Sequence, residues 1–258
     1  MARFSISSQS RHIRGDANIA SIAISHPLIR SYTRNLTLSA NLDAVNGDNA
    51  VLGSLLSRER TRAARGSASF SDVGKRHSFS TSLTVSRGLG IFGADTHSAL
   101  DDRDFTKVAG TAALNRTLGR HFVARLAGSG QWSGDPLPAA ERFIVGGADF
   151  GRAYPVAILA ADRGAAGSAE LAWRPTLPAA FTNSELYLFG DKAGVRYVAR
   201  EPIPAASYDL ASAGAGIRLA YRDKAQLDLE AAKRLDRPYP GYEKGWQINV
   251  AWRLALSR

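Results

Sequence analysis

Apolar and polar residues alternate with a period of two along most of the chain. Near the C-terminus Trp246, Ile248, Val250, Trp252, Leu254 and Leu256 interleave with Gln247, Asn249, Ala251, Arg253 and Ala255. Successive side chains of a strand point to opposite sides, so such a segment has one apolar and one polar face. The design recurs. Leu227, Leu229 and Ala231 oppose Gln226, Asp228 and Glu230; Ile217, Leu219 and Tyr221 oppose Arg218 and Arg222. Ala169, Leu171 and Trp173 oppose Ser168, Glu170 and Arg174, and Leu36, Leu38, Ala40 and Leu42 oppose Thr37, Ser39 and Asn41. Polar residues at every second position would spoil an apolar stripe of 3.6 period, which disfavours helices.

Turn signals separate the runs, among them Asn46-Gly47-Asp48, Asp72-Val73-Gly74, Asp191-Lys192-Ala193-Gly194 and Pro238-Tyr239-Pro240-Gly241. The pattern predicts strands at 2–9, 18–26, 34–44, 64–73, 77–88, 105–116, 121–132 and 141–146, then at 167–174, 185–191, 212–222, 225–234 and 244–256. Many are as long as the roughly nine to eleven residues that cross a bilayer at a tilt, where an average soluble strand has about five or six.

The polar face decides what the apolar face meets. It carries Arg125, Glu170, Arg174, Arg218, Asp228, Glu230 and Arg253 among many Ser, Thr and Ala, which suits a wet lumen better than a packed sandwich. Tyr32, Trp132, Trp173, Tyr197, Tyr208, Tyr221, Trp246 and Trp252 fall near strand ends, where an interfacial girdle is expected. The fold class expected is all-β, a transmembrane antiparallel β-barrel. A soluble β-sandwich or a ligand-binding barrel is the alternative.

Composition removes several other classes. The chain has no cysteine, and its five histidines form no i,i+4 pair, so neither a thiolate site nor a zinc helix is expected, and no cofactor. The net charge of +10 comes from Arg and Lys dispersed over the whole length rather than from one basic helix or run, so no nucleic-acid partner is expected. No window of about 18 apolar residues occurs, so no transmembrane helix is predicted. No Ser/His/Asp arrangement or pair of carboxylates at catalytic spacing suggests an enzyme. Asp101, Asp102 and Asp104 could attract a cation, but composition favours a solvated loop.

The alternation stops between about 146 and 167, where Gly146-Gly147-Ala148-Asp149-Phe150-Gly151-Arg152-Ala153-Tyr154-Pro155 is followed by Ala161-Asp162-Arg163-Gly164. A loop of about twenty residues tends to be functional, and its glycines let it fold tightly. It either lies exposed or folds into the lumen with Arg152 seeking a carboxylate. In Glu185-Leu186-Tyr187-Leu188-Phe189-Gly190-Asp191, parity puts Leu186 and Leu188 towards lipid and Glu185, Tyr187, Phe189 and Asp191 towards the lumen, where a carboxylate could fork onto the guanidinium.

Gly151-Arg152-Ala153-Tyr154 together with Leu188-Phe189-Gly190-Asp191 resembles the two-partner secretion translocators, the hemolysin activation/secretion family, with Arg152 and Tyr154 matching its inward-loop tip strictly. The likeness covers most of the chain and is strongest from about 141 onward. It implies a bacterial outer-membrane barrel of sixteen strands, embedded in outer-membrane lipid, that exports a large adhesin- or hemolysin-type partner protein without ATP. It implies that Gly151, Arg152 and Tyr154 form the loop tip, that Arg152 pairs with Asp191, and that Glu230 is a second lumenal partner. The family carries two soluble polypeptide-transport domains before its barrel. About thirteen strands and no such domain are read within residues 1–258, so an N-terminally truncated barrel is expected, unable to seal alone. An outer-membrane insertase of the same superfamily is the other function weighed.

Overall fold

A computed structural model describes residues 13–51, 54–96, 101–181, 183–222 and 224–255; the strand expected at 2–9 lies outside them. The strands in chain order are β1 (Ile13–Arg30), β2 (Arg34–Val51), β3 (Ser54–Val73), β4 (His77–Gly88), β5 (Asp95–Thr96), β6 (Thr106–Leu118), β7 (Phe122–Ser133), β8 (Phe143–Val145), β9 (Leu159–Ala161), β10 (Arg163–Trp173), β11 (Glu185–Tyr197), β12 (Ala206–Tyr221), β13 (Ala225–Arg234) and β14 (Trp246–Leu254). All the long strands form one antiparallel meander, β1-β2-β3-β4-β6-β7-β10-β11-β12-β13-β14; β5 adds to β3, and β8 and β9 make a separate two-stranded ribbon. Among the described residues β1 and β14 do not pair with each other, so the barrel wall is open there.

Register carries one parity around the sheet. Arg65 stands opposite Asn41 and Ser86, and Lys107 opposite Ser86 and Ser133. Glu170 stands opposite Arg125 and Phe189, Arg218 opposite Glu185 and Asp228, and Glu230 opposite Asn249. All of these face inward. The intervening residues face out: Leu188, Ile248, Val250 and Trp252 are 65, 76, 61 and 72% exposed, against 3, 6 and 6% for Tyr187, Phe189 and Asp191. A soluble ligand-binding barrel would not present that row to water. The wall is that of a transmembrane barrel, with its apolar side towards lipid.

The two ends of the sheet differ. Residues 31–33, 74–76 and 119–121 turn tightly at one end, although the connection from β10 to β11, with a short 3-10 helix at 179–181, is longer. Residues 89–105, 134–162, 198–205 and 235–245 connect strands at the other end. Short turns mark the periplasmic side of such barrels and long loops the outer side.

The turns expected at 46–48 and 191–194 are instead paired ladder positions inside β2 and β11, which run on through them, and three further expectations change. The run at 141–146 is the short β8, which pairs with β9 as a hairpin off the wall, because its apolar residues pack into the loop's own core. Phe143 and Val145 are buried there with Tyr154, Leu159, Val195 and Leu210. The irregular segment therefore runs from 134 to 162, and β10 begins at Arg163 rather than 167; Gly164, Ala165, Ala166 and Gly167 are small on both faces and erase the alternation. Tyr197 and Tyr208 leave the girdle. They share parity with the buried Val195 and Leu210, and their rings meet edge-on inside the wall with centroids 5.8 Å apart.

The two faces predict opposite responses at neighbouring positions of β14. Val250→Arg, outward and central in its strand, is expected to cost about 2–4 kcal/mol of stability in denaturant unfolding from lipid vesicles. Ala251→Arg, one residue on and facing inward, is expected to unfold close to the wild-type midpoint.

Candidate functional site

The segment 134–162 turns back towards the inward face of β10–β14, and its tip is built by backbone geometry. Gly146, Gly147 and Gly151 have φ of +106, +97 and +87°, which side chains other than glycine rarely tolerate. The turn closes with hydrogen bonds from the Gly146 N–H to the Phe150 carbonyl (2.8 Å) and from the Tyr154 N–H to the Gly151 carbonyl (2.9 Å). A Cβ on Gly151 would lie 2.8 Å from Leu210 Cδ1, so the tip sits close against β12.

Asp191 receives this tip through its main chain. Its buried carboxylate accepts the N–H groups of Gly151 (2.8 Å) and Arg152 (3.3 Å), and the Ser212 hydroxyl lies 2.8 and 2.7 Å from its two oxygens. The expected ion pair between the Arg152 side chain and Asp191 does not form. With the Arg152 amide already on Asp191, the side chain extends along the wall to the next inward carboxylates. Its Nη1 donates to Glu170 at 3.0 Å and to Glu230 at 3.1 Å, and the guanidinium lies 4.4 Å from the centre of the Phe189 ring. The Phe189 ring lies across β12, where a Cβ on Gly214 would come within 2.7 Å of it.

The remaining tip contacts reach β12, β13 and β14. Tyr154 is fully buried, and its hydroxyl lies within hydrogen-bond distance of the Ala211 (3.0 Å) and Asp236 (2.8 Å) carbonyls; with one proton it donates to one of them at a time. Arg234 Nε donates to the Ala153 carbonyl at 2.8 Å, and Asn249 Nδ2 donates to the Arg152 carbonyl at 3.0 Å. The structure thus brings Gly151, Arg152, Tyr154, Asp191 and Glu230 to one place.

Below the tip an ionic lattice covers the inward face of β7–β13. Glu170 accepts from Arg125 (2.8 Å) and Arg218 (2.6 Å) as well as Arg152, and Glu185 accepts from Arg125 (2.7 Å) and Arg174 (2.8 Å). Arg218 also meets Asp228 at 3.1 Å and lies over the Tyr187 ring, 3.8 Å from its centre. Three guanidinium groups thus converge on Glu170. Parity places Glu170 on the polar face, but its role as the hub depends on register across β7, β10 and β12, which no local pattern encodes.

A second anchor lies at the outer end. Asp162 is fully buried; it forks with Arg200 (2.6 and 3.0 Å) and accepts the N–H groups of Leu137 (2.8 Å) and Val198 (2.7 Å). Asp101 accepts from Arg142 at 2.9 Å and Arg200 at 3.3 Å. The acidic stretch 101–104 is therefore neither wholly solvated nor arranged as a cation site: Asp101 is tied to the loop's arginines. Arg200 had no motif to reveal it.

The match to a family model described as haemolysin secretion/activation protein ShlB/FhaC/HecB covers residues 3–219. Among solved structures, the chain is similar to CdiB from Acinetobacter baumannii, with a TM-score of 0.74 and 17% identity over 94% of this chain and 42% of that one. It is similar also to CdiB from Escherichia coli, with a TM-score of 0.73 and 19% identity over 92% of this chain and 45% of that one. The chain thus spans less than half the length of these structures. No curated protein matches it.

The root of the loop is held by Glu141, on the opposite side from the tip. Its carboxylate accepts from Arg65 of β3 (2.6 Å) and Lys107 of β6 (2.7 Å). Burial alone would raise the Glu141 carboxyl, but the Arg65 hydrogen bond and the Lys107 charge outweigh it and hold it below the usual carboxylate range. A depressed carboxyl stabilises the fold above its unfolded value and loses that contribution as pH falls through the folded one. Acid protease cleavage within 134–142 is therefore expected to stay low on acidification to about pH 4.3, the free Glu value, and to rise below it. Glu141→Gln should be cleaved readily at every pH tested, with the step removed.

Proposed function

The chain belongs to the ShlB/FhaC/HecB haemolysin secretion/activation family, and we propose that it forms the wall and inward loop of a two-partner secretion translocator of the bacterial outer membrane. The cargo in this reading is a large adhesin- or hemolysin-type partner, passed through the lumen as an extended chain. No nucleotide is consumed. Folding of the cargo outside supplies direction, and the loop keeps the lumen occupied until cargo arrives.

The observation that carries this reading is the docking of the loop tip. Asp191 holds the main chain of Gly151 and Arg152, while Glu170 and Glu230 hold the Arg152 guanidinium. A surface loop without a role in the lumen would not place a cation within the wall. Each buried ionic contact recovers only part of the desolvation of its members, so the docked state is specific without being deeply trapped. That balance suits a closure that must yield.

The opposite wall is of another kind. In its periplasmic half, Thr37, Ser69, Ser80, Ser82, Thr84 and Thr111 face inward from β2, β3, β4 and β6. Several satisfy one another, as in the Ser67–Thr84 pair at 3.0 Å and the Ser82–Thr111 pair at 2.8 Å. Short neutral hydroxyls can exchange hydrogen bonds with any passing peptide group and hold none by charge. A sequence-indifferent track for an unfolded cargo needs that property.

In cells making the full-length translocator and its partner, Arg152→Ala is expected to abolish partner release into the medium while the barrel still inserts and resists heat in gel-shift assays. The double variant Glu170→Gln/Glu230→Gln, which removes the guanidinium's carboxylates, should lose secretion likewise. Undiminished secretion by an inserted Arg152→Ala barrel would overturn the role given to the loop.

A further inference from the structure

The outward face carries charges that the export reading does not use. Arg163 of β10 and Arg196 of β11 are direct cross-strand partners. Both face out, since the intervening Gly164 and Val195 point towards the loop core, where a Cβ on Gly164 would lie 2.7 Å from Phe143. Like charges placed directly opposite on one face repel and destabilise the pair. Lys192, on the same face of β11, stands opposite Gly167 and Ala211.

Among the described residues none of these three cations forms an ion pair, and Arg163 Nε is shielded from solvent with no hydrogen-bond partner. The acid nearest in register on this face is Asp209, opposite Gly194, which leaves three cations against one carboxylate.

Depth tells what they meet. From Arg163 to the outward Trp173 at the periplasmic end, β10 has 11 residues. At about 3.3 Å per residue and a tilt of roughly 40°, that span is about 25 Å, the height of the apolar band. Arg163 and Arg196 therefore stand at the headgroup level of the outer leaflet. Lys192 starts about 10 Å deeper at about 3.3 Å per residue, and its stem, about 6 Å when extended, can carry the ammonium part of the way up to a phosphate that the longer guanidinium side chains reach down to. Around it the outward positions are Ala165, Gly167, Gly190, Gly194 and Ala213, a shallow surface on which acyl chains can lie. Trp132, one step beyond the Gly164–Gln131 pair and 57% exposed, borders the cluster as an interfacial anchor.

We propose that Arg163, Arg196 and Lys192 form a binding site on the lipid-facing wall for a phosphate of an outer-leaflet glycolipid of the lipid A type. The phosphate neutralises the opposed guanidiniums and its acyl chains cover the small-residue surface. The site rests on the barrel's place in the outer membrane and not on the export reading, so it stands or falls separately from the Arg152 experiment.

The test uses the full-length protein extracted from outer membranes, freed of lipid in non-ionic detergent and titrated with diphosphoryl lipid A under native mass spectrometry. Arg163→Gln/Arg196→Gln/Lys192→Gln is expected to bind about a hundredfold more weakly than wild type, taking each surface cation as a fivefold to sixfold factor (about 1 kcal/mol). Arg196→Gln alone, at an exposed position that leaves the fold intact, should bind about fivefold more weakly. The charge-preserving Arg163→Lys/Arg196→Lys should retain most of the affinity. Unchanged affinity in Arg196→Gln, equal binding of dephosphorylated lipid A, or displacement of lipid A by an equal concentration of inorganic phosphate would each overturn the proposal.

Discussion

In hydrocarbon a strand has no water to satisfy its N–H and C=O groups, so each must find a partner on a neighbouring strand. In this chain that requirement joins β1 to β14 in one unbroken antiparallel order. Once every strand is locked to its neighbours, a side chain has no choice of face. A slip of one residue in any register would send Glu170 into lipid and Leu171 into the lumen. The ionic lattice is thus a consequence of backbone pairing. Arg125, Glu170 and Arg218 meet because β7, β10, β11 and β12 are held in register, and their contacts in turn resist any slip.

The loop uses that fixed surface at two separated places. At its root Glu141 spans Arg65 and Lys107, on β3 and β6, and at its tip Gly151 and Arg152 lie on Asp191, Glu170 and Glu230, on β11, β10 and β13. Between them β8 and β9 form a hairpin, and Asp162 with Arg200 fixes the return into β10. The segment is therefore tied to the inward face at two separated places rather than at one. Its main chain supplies the geometry at Asp191, and its one guanidinium supplies the charge.

The wall was legible in the sequence wherever its two faces differ in chemistry. Leu186-Tyr187-Leu188 and the run from Trp246 to Leu254 announce both strand and orientation. Legibility failed where that contrast vanishes. Gly164 to Gly167 are small on both sides, so the start of β10 was hidden. Tyr197 and Tyr208 read as girdle residues by composition, and only their parity with Val195 and Leu210 turns them inward. The tip could be located from Gly151, Arg152 and Tyr154, and Asp191 stood out on its strand. That Asp191 takes peptide N–H groups and leaves the guanidinium to Glu170 depends on distances across three strands, which no one-dimensional pattern contains. Glu141, Asp162 and Arg200 lie in irregular segments, where periodicity has nothing to say.

The lattice beneath the tip has a simple ledger of charge. Among its directly paired groups, Arg125, Arg152, Arg174 and Arg218 face Glu170, Glu185, Asp228 and Glu230, four against four. Arg125 and Arg218 are rooted in the wall and Arg174 in the connection that follows β10, and Arg152 alone belongs to the inward loop. Withdrawal of the tip therefore removes one positive charge and leaves three against four. The paired set, balanced while the tip is docked, becomes anionic around Glu230 and Glu170, beside an Asp191 carboxylate that has lost its two peptide N–H donors. If cargo passes this wall as proposed, its lysines and arginines would find there the place that Arg152 left, so that an open state would be held by its traffic and would reset when the traffic stops.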